Sequence, residues 1–450
     1  MVLVRTATVV AMFPSANRRF VIEEPTVDPE TGDVELHYGA GDDVFVERWS
    51  IGAFPVARLD AVTRAAQILA VCGSTSYYKA LYGAAIDVDF DISPELLHGL
   101  IGPGLAEFRF ENEIPLDHMP AITVGEPVDH EPLAKVADPA NALVALGGGK
   151  DSIVAATALI AAGRSVMLCA VNPKSPMTWS SDALGLPLIG VRRVIDPHLF
   201  RLNDRGAPNG HIPITAITSA GLVLVAAAHG FAEVVFANES SANVATFVTD
   251  AGFAVNHQYS KSQAFETLFG DELKRTGLRI DYYSAIRGLT EVAVCKVVGD
   301  LPLAIQQSFT SCNTNFNLAS PGREAHDRWC GICSKCAFVF LSLAPFIDRP
   351  HLTVLFGKDL LLDESLEPLY MALAADAGVR PLECIGTTDE VRWALQRVDA
   401  SGQWSDAPMV ARLATTNPES DTFDPFPVAA SGAPAAVQQA LEDLVEFDRG

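Results

Sequence analysis

A run of three glycines followed by a lysine, an aspartate and a serine is the stretch of this sequence with the clearest chemistry. It comes between an apolar run at residues 143–146 and an alanine-rich segment that ends at Gly163. Glycines let the backbone turn sharply and bring its N–H groups against an anion, and the positive end of a following helix faces the same point. The stretch predicts a phosphate-binding loop before a helix that Ser152 caps and Gly163 ends. This glycine loop consists of Gly147, Gly148, Gly149, Lys150, Asp151 and Ser152.

Four cysteines have the spacing of a metal site. Cys312 precedes a compact group formed by Cys330, Cys333 and Cys336, in which two residues separate each cysteine from the next. Four thiolates can close a tetrahedral zinc site with no open position, so the pattern predicts a structural Zn²⁺. An iron–sulfur cluster has similar spacing and is an alternative.

Polar side chains also follow the predicted strands, and some of them can carry protons. His257 and Lys261 set a titratable imidazole and an amine among neutral hydrogen-bonding neighbours, and they are the predicted base and acid of a proton transfer. His211 and Glu239 are further candidates. The residues predicted to contact a nucleotide outside the glycine loop are Asn172, where the backbone can read the base edge, and Asn238. Those predicted to contact a substrate are Asn243, Asn256, Gln258, Tyr259, Ser260 and Ser262.

Plainer interpretations are open for several of these residues. Asn172 precedes a proline and suits a simple turn. His211 suits an ordinary loop histidine, and residues 256–262 have the composition of a solvated loop. The glycine run itself is compatible with a turn that binds nothing.

The order of predicted elements is that of an α/β protein. Strands are predicted at residues 142–146, 166–171, 191–195 and 234–236, with helices at 152–162 and 213–229. Such an order predicts a parallel sheet with helices on both faces and ligands at the carboxyl ends of its strands. Most of the polar candidates come directly after these strands.

Three regions are predicted along the chain. Residues 1–130 form an N-terminal α+β domain, with strands at 6–10, 20–23 and 34–38 and helical patterns at 57–83 and 94–108. Residues 138–345 carry the parallel sheet and the cysteine metal site. Residues 346–450 form a small C-terminal region of helical and irregular structure.

Composition limits the partners. The 450 residues are 49% hydrophobic and 19% charged, as in ordinary folded proteins. A net charge of -23 without a run of Lys and Arg argues against nucleic acid as a partner. No uninterrupted apolar stretch is long enough for a membrane span, and the N-terminus lacks the order of a signal peptide. We therefore expect a cytoplasmic protein, and a reducing compartment suits a metal site better than disulfides.

The glycine loop resembles the S-G-G-x-D-S loop of the PP-loop ATP pyrophosphatases, with Gly147 where that family usually has serine. The resemblance implies an adenine nucleotide alpha hydrolase-like sheet and cleavage of ATP between its α- and β-phosphates. The order of loop and cysteines is also similar to that of the 7-cyano-7-deazaguanine synthases, which use a zinc site beside a PP-loop.

An ordered set of motifs gives a more specific resemblance. It resembles the UDP-N-acetylmuramoyl-L-alanyl-L-glutamate epimerases of bacterial peptidoglycan synthesis. The motifs lie at residues 104–108, 147–152, 209–211, 238–243, 256–262, 329–336 and 384–390. The resemblance implies that the terminal L-glutamate of this sugar-nucleotide dipeptide is inverted to D-glutamate, with ATP and Mg²⁺ as cofactors. ATP is cleaved in this reaction, and AMP and pyrophosphate are released.

The resemblance also implies a role in ATP binding for the residues of the glycine loop. Backbone N–H groups of residues 147–149 and the hydroxyl of Ser152 hold the β- and γ-phosphates, Lys150 adds a charge, and Asp151 contacts Mg²⁺. The rival enzymes are a PP-loop ligase and a thiolation enzyme of the 7-cyano-7-deazaguanine synthase type, which consume ammonia, sulfide or RNA with ATP. A non-catalytic ATP sensor is a third possibility, and it would release no pyrophosphate.

Overall fold

The computed structural model describes residues 18–134, 140–312, 314, 328–375, 385–427 and 431–446. The strand predicted at residues 6–10 lies outside this part of the chain, as does Cys384, the first residue of the motif at 384–390. The chain forms two compact units, each built from several segments. The first unit comprises Met1–Ala137, Val191–Ala232 and Phe247–Asp281, and the second comprises Asp138–Gly190, Glu233–Thr246 and Tyr282–Gly450.

Strands and helices are both frequent along the described chain. In chain order, the strands are β1 (Arg19–Ile22), β2 (Thr26–Asp28), β3 (Asp33–Ala40), β4 (Asp43–Ser50), β5 (Ala85–Val88), β6 (Ile122–Thr123), β7 (Asn141–Ala145), β8 (Ser165–Val171), β9 (Leu188–Val194), β10 (Glu233–Phe236), β11 (Phe247–Val248), β12 (Ala254–Val255) and β13 (Asp281–Ser284). The α-helices are α1 (Leu59–Tyr78), α2 (Pro94–Ile101), α3 (Ala106–Glu111), α4 (Lys150–Ala161), α5 (Ser175–Leu184), α6 (Pro197–Asp204), α7 (Ile214–His229), α8 (Gln263–Arg275), α9 (Glu291–Asp300), α10 (Leu303–Gln306), α11 (Ser334–Leu343), α12 (Arg349–Phe356), α13 (Glu367–Ala374), α14 (Thr388–Ala400), α15 (Pro408–Thr416) and α16 (Ala435–Val445).

The sheet of the first unit is mixed. Strand β3 pairs antiparallel with β1, β2 and β4, while β5 runs parallel to both β1 and β6. Along β3 the buried residues alternate with more exposed ones, which is the period of two that predicted this strand. The β3–β4 hairpin places Val34 opposite Trp49 and Tyr38 opposite Phe45. Large apolar side chains thus line one face of the hairpin.

Two long helices, α1 and α7, contribute many of the buried residues of the first unit. Helix α1 confirms the helical pattern predicted at residues 57–83, and its last ten residues are all buried. Helix α7 is alanine-rich and ends at Gly230, whose φ of +81° is the left-handed conformation that glycine favours. A Cβ atom on Gly221 would lie 2.5 Å from the ring of Trp49, so glycine permits close packing of α7 on β4.

The second unit contains parallel strands, as the strand-and-helix order predicted. Strand β7 pairs in parallel with β8 on one side and with β10 on the other. In register, Leu143 of β7 lies opposite Val234 and Met167. Because the strands are parallel, the residues after β7 and β10 leave the sheet at the same edge. These residues include the glycine loop and the polar segment that begins at Ala237.

Helices from the C-terminal third of the chain share one hydrophobic core with this sheet. The core joins buried residues of β7 and α4 to Phe338 of α11, Trp393 of α14 and Leu441 of α16. Helix α11 is buried along its whole length and is apolar apart from Ser334, Lys335 and Ser342, as expected for a helix inside a core. In the described part of the chain, no helix combines the length and the apolar character that crossing a bilayer requires.

Candidate functional site

The glycine loop of the second unit needs glycine at one position and is open at another. Gly148 has a φ of +82°, and a Cβ atom on it would lie 3.1 Å from the Cβ atom of Pro176. Its carbonyl oxygen accepts a hydrogen bond from the backbone N–H of Thr310 at 3.0 Å. Gly147 is exposed, and a Cβ atom there would meet no described atom within 4 Å. The loop therefore offers an accessible backbone edge at Gly147.

Helix α4 begins earlier than the sequence predicted. It starts at Lys150 with Gly149 as the N-cap residue, so Ser152 lies within the first turn. The prediction that Ser152 caps the helix is wrong: its hydroxyl donates to the carbonyl oxygen of Gly149 at 3.0 Å, whereas a cap accepts from a backbone N–H. Gly163 follows the helix with a φ of +74°, which confirms the predicted end. With glycine as the N-cap, the first N–H groups of α4 receive no side-chain cap within the described residues.

Lys150 is a buried ion-pair partner. Its side chain is 0% exposed, and its Nζ atom contacts Oδ1 of Asp151 and Oε2 of Glu291. The Nζ atom of Lys335 lies 3.6 Å from the other oxygen of Glu291. Burial acts to lower the pKa of Lys150, but the two carboxylates outweigh it and the pKa is raised. Asp151 keeps 30% of its side chain exposed, so it is the member of this group that a metal ion can approach.

Two further buried carboxyl groups, those of Glu239 and Glu390, interact with Glu291 of this ion pair. Burial, and then the charges of Glu291 and Glu390, raise the pKa of Glu239 to about 8. Its Oε1 atom accepts a hydrogen bond from the hydroxyl of Ser241 at 2.8 Å. Glu390 accepts from the backbone N–H of Glu291 at 2.6 Å, and burial also raises its pKa. Glu239 is therefore placed to hold a proton at neutral pH.

The four cysteines predicted to bind a metal come together in the second unit. The Sγ atoms of Cys312, Cys330, Cys333 and Cys336 all lie within 4.8 Å of one another, and those of Cys330 and Cys336 are 3.7 Å apart. Zn–S bonds of about 2.3 Å at tetrahedral angles place two sulfurs roughly 3.8 Å apart. Cys333 is the N-cap residue of α11, and Cys336 lies in its first turn. The donor set and its spacing fit a structural zinc ion.

A second titratable cluster lies in the first unit and contains two of the predicted acid–base residues. The Nδ1 atom of His257 is 2.7 Å from Oε2 of Glu107, and the ring of His211 lies 4.4 Å from that of His257, centroid to centroid. One donor atom from each of the three residues lies within 4.8 Å of the others. Glu107 comes from the first turn of α3, so three separate segments of chain supply the cluster.

Side chains of Lys79 and Asn112 contact the loop that carries His211. Nζ of Lys79 contacts Oδ1 of Asn209, and it lies 3.4 Å from the carbonyl oxygen of Gly210. The amide of Asn112 donates to the carbonyl oxygen of Asn209 at 3.1 Å. Burial lowers the pKa of Lys79 to about 8. These contacts fix the backbone directly before His211.

The electrostatic surroundings keep His211 neutral. Burial, followed by the nearby charge of His257, lowers the pKa of His211 to about 4. Lys261 and Lys79 act in the same direction, while Glu107 opposes them. The structure thus brings His211, His257 and Lys261 into one electrostatic environment. The fourth predicted acid–base residue, Glu239, belongs to the second unit.

Several predicted substrate contacts have local structural partners. The side-chain oxygen of Asn256 accepts from the backbone N–H of Gln258 at 2.8 Å, which forms a turn around His257. Tyr259 packs edge-on against Phe265. Ser262 caps α8 by accepting from the backbone N–H of Phe265 at 3.3 Å. Gln258 and Ser260 are both buried.

The other predicted contacts lie after strands of the second unit. Asn172 follows β8 with a φ of +48°, a conformation that asparagine adopts more readily than most residues. Asn238 follows β10 and is buried, and its backbone N–H and carbonyl both bond to the hydroxyl of Ser284, at 2.8 and 2.7 Å. Asn243 is exposed at the end of a 3-10 turn, Ser240–Asn243.

Sequence reasoning missed the partners of these residues. The sequence indicates Glu107 only as part of the motif at 104–108, and it indicates no role for Glu291, Glu390 or Lys79. Glu107 is separated from His257 by 150 positions in the chain, so spacing carries no signal for the pair. The motif at 104–108 was the one available indication for Glu107.

Comparisons with known proteins match most of the chain to a single family. A family model described as the MurL N-terminal domain matches residues 12–285, and the MurL C-terminal domain matches residues 308–424. Three similar proteins are each named UDP-N-acetyl-alpha-D-muramoyl-L-alanyl-L-glutamate epimerase. The protein of Xanthomonas oryzae pv. oryzae is 36% identical over 86% of this chain and 87% of its own length. Those of Micromonospora sp. and Salinispora tropica are 35% and 37% identical, over 90% and 80% of this chain and 94% and 79% of their own lengths.

No solved structure matches the chain. Both domain models nevertheless match in the expected order and together cover most of its length. The relatives align over at least 79% of their own lengths, so the similarity is not confined to a shared nucleotide-binding segment. The chain belongs to the MurL family.

Proposed function

We propose that this protein is an isomerase that inverts the terminal L-glutamate of UDP-N-acetyl-alpha-D-muramoyl-L-alanyl-L-glutamate, in the synthesis of peptidoglycan precursors. The observation that carries the proposal is the 35–37% identity to three epimerases of that name over 80–90% of this chain. The Glu107–His257–His211 cluster supports it, because an epimerase needs groups that accept and return a proton.

The chemistry requires activation before inversion. The α-hydrogen beside a carboxylate is hard to remove as a proton, because the carbanion would form next to a negative charge. We propose that a carboxylate oxygen of the substrate attacks the α-phosphorus of ATP, and that pyrophosphate leaves with the electrons of the broken P–O bond. The resulting acyl adenylate has lost the carboxylate charge and can accept the electrons of the C–H bond as an enolate.

The second unit is proposed to be a PP-loop domain that performs this activation. In support, the glycine loop follows a strand of a parallel sheet, is open at Gly147, and leads into a helix N-terminus that no described side chain caps. Asp151 is the proposed contact to Mg²⁺ because its carboxylate is partly exposed. The ammonium group of Lys150 already contacts two carboxylates. We therefore propose that Lys150 acts on the phosphates indirectly, by contacting Asp151 and by adding positive charge near the loop.

The first unit is proposed to move the proton. His257 is the assigned base, supported by its contact with Glu107, and Lys261 is the assigned acid for the opposite face. His211 and Glu239 are the reserve candidates. After inversion, water cleaves the adenylate and frees the D-glutamyl product and AMP. The proposed substrate contacts are Asn243, Asn256, Gln258, Tyr259, Ser260 and Ser262, and the nucleotide contacts outside the loop are Asn172 and Asn238.

The cysteine cluster is proposed to hold zinc in a structural role. Four thiolates leave no open position on a tetrahedral ion, so the site provides no place for a reacting water. Such a cluster is also consistent with the ligase and thiolation enzymes of the 7-cyano-7-deazaguanine synthase type. The names of the relatives favour epimerisation over those activities.

The decisive experiment combines three measurements in one reaction. The protein is mixed with ATP, Mg²⁺ and the L-glutamyl sugar-nucleotide dipeptide in heavy water. We expect D-glutamate after acid hydrolysis, deuterium at the α-carbon of the product, and AMP formed with it. Reactions without ATP, or with an ATP analogue carrying a methylene group between the α- and β-phosphorus, are the controls.

Each part of the proposal has its own contrary result. Glutamate that stays in the L form while ATP is present would contradict the epimerase assignment. Inversion at the same rate without ATP would leave the epimerase assignment intact and contradict the adenylate step. Consumption of ammonia or sulfide with ATP would support the rival ligase or thiolation activity.

A further inference from the structure

The imidazole rings of His211 and His257 are too close together to stand on opposite sides of a substrate carbon. Their centroids are 4.4 Å apart, with a tilt of 45°. Atoms in van der Waals contact lie about 3.5–4.0 Å apart, so a carbon between two rings needs a gap of about 7 Å. In this arrangement both imidazoles can serve only one face of a tetrahedral carbon.

The surroundings of the two rings favour a proton on His257 over a proton on His211. His211 is neutral at physiological pH because burial, and then His257, lowers its pKa to about 4. His257 has a carboxylate oxygen of Glu107 at 2.7 Å from Nδ1, and the side chain of Glu107 is only 6% exposed. A buried carboxylate at Nδ1 fixes the proton on that nitrogen and stabilises a positive charge on the ring. The pair can therefore hold one positive charge, on the ring next to Glu107.

We propose that Glu107, His257 and His211 act as one proton-accepting group on a single face of the glutamyl α-carbon, with Glu107 as a positioning residue. This inference rests on the proposed epimerase function. Before the transfer both rings are neutral, and Nδ1 of His257 carries its proton toward Glu107. The proton leaves the α-carbon for the free nitrogen of His257, the electrons of the C–H bond stay on the activated substrate, and the positive charge that forms on His257 is balanced by Glu107. A group outside these three residues protonates the opposite face.

The test compares exchange of the α-hydrogen for the two epimers. Full-length protein is incubated in heavy water with ATP, Mg²⁺ and either the L- or the D-glutamyl form of the dipeptide, and deuterium in the unconverted substrate is measured by mass spectrometry. We expect His211→Asn, His257→Asn and Glu107→Gln to lose exchange from the same epimer, by about 10²- to 10⁴-fold. All three are expected to retain exchange from the other epimer.

Two results would overturn the inference. If His211→Asn and His257→Asn lose exchange from opposite epimers, the two rings act on opposite faces. If a variant loses exchange from both epimers while its near-ultraviolet circular dichroism matches that of the parent, the group is not confined to one face. The matched control is His98→Asn, an exposed histidine on α2 of the same unit, which should leave both exchange rates unchanged.

The positioning role of Glu107 has a separate readout. In ¹⁵N-labelled protein, Glu107→Gln should shift the imidazole nitrogen signals of His257, identified by their loss in His257→Asn, and Glu107→Asp should restore exchange in part. Unchanged signals in Glu107→Gln would contradict the role. If the parental protein with ATP exchanges neither epimer, the proposed function itself fails. If it epimerises while the two histidine variants lose opposite epimers, only this inference fails.

Discussion

The backbone N–H of Thr310 donates a hydrogen bond to the carbonyl oxygen of Gly148 at 3.0 Å. The hydroxyl of Thr310 in turn accepts from the backbone N–H of Cys312 at 3.1 Å. The backbone N–H of Cys330 approaches Sγ of Cys312 at 3.4 Å. The segment that contains the first cysteine of the metal site therefore also holds the glycine loop, within the same unit.

This connection leads us to expect that loss of the metal weakens nucleotide binding. Cys312→Ala should lower zinc content and reduce the affinity for Mg-ATP by about fivefold or more, the equivalent of one net hydrogen bond of about 1 kcal/mol. Metal analysis and isothermal titration calorimetry on the same sample measure both effects. Cys72→Ala, at a buried cysteine of the first unit, is the matched control. Wild-type affinity in a zinc-free Cys312→Ala protein would disprove the connection.

The buried ion pair of Lys150 and Glu291 should matter for stability before it matters for nucleotide binding. Lys150→Met leaves a buried carboxylate with Lys335 as its remaining described cation, 3.6 Å away, and should cost about 3–5 kcal/mol of unfolding free energy. Urea denaturation measures the loss. Lys274→Met breaks an exposed pair with Asp271 and should cost about 0–1 kcal/mol.

A double variant tests whether Lys150 stabilises the fold by pairing with Glu291. In Lys150→Met with Glu291→Met, the buried carboxylate is removed together with the lysine that contacts it most closely, so we expect part of the stability to return. The return should be incomplete, because Lys335 loses its contact with Glu291. If the single variant is no less stable than Lys274→Met, the pair is not the buried contact described here.

The glycine loop itself gives a test in which three glycines should respond differently. Gly148→Ala forces a Cβ atom to within 3.1 Å of Pro176 at a φ of +82°, so it should distort the loop and reduce Mg-ATP affinity by about tenfold or more. Gly163→Ala carries a similar backbone penalty at a φ of +74° but meets no described neighbour, and should change stability alone. Gly147→Ser, on the open side, should bind Mg-ATP as the parent does. Equal affinity in all three variants would contradict a phosphate role for this loop.

Local patterns predicted the parts of the molecule that depend on neighbouring residues. The strand before the glycine loop, the helix after it and the spacing of Cys330, Cys333 and Cys336 all lie within short stretches, where backbone geometry and ligand spacing are fixed by adjacent positions. The start of α4 was misjudged because serine is a strong capping residue and glycine at N-cap gives a weaker signal.

Pairings across long stretches of chain could not be read in the same way. Lys150 is separated from Glu291 by 141 positions, and Glu107 from His257 by 150. A lysine in a phosphate loop suggests a contact with phosphate. Only the folded chain reveals that a buried carboxylate, Glu291, pairs with this lysine. The same holds for the carboxylate of Glu107, which contacts the imidazole of His257 from a distant position in the chain.

The raised pKa of Glu239 predicts a specific dependence of stability on pH. Burial, and then Glu291 and Glu390, raise that pKa from 4.5 to about 8. The folded chain therefore retains a proton between pH 4.5 and pH 8 that the unfolded chain has released. Unfolding free energy must fall as pH rises through this window, by at most about 1.4 kcal/mol per pH unit.

Glu239→Gln removes this proton, so the stability of the variant should decline less than that of the parent across the same window. Urea unfolding at several pH values measures the difference in slope. Glu442→Gln, at an exposed glutamate on α16, is the control and should follow the parent. A constant gap between the parent and Glu239→Gln at every pH would mean that the folded protein holds no extra proton on Glu239, because a proton-linked effect has to vary with pH.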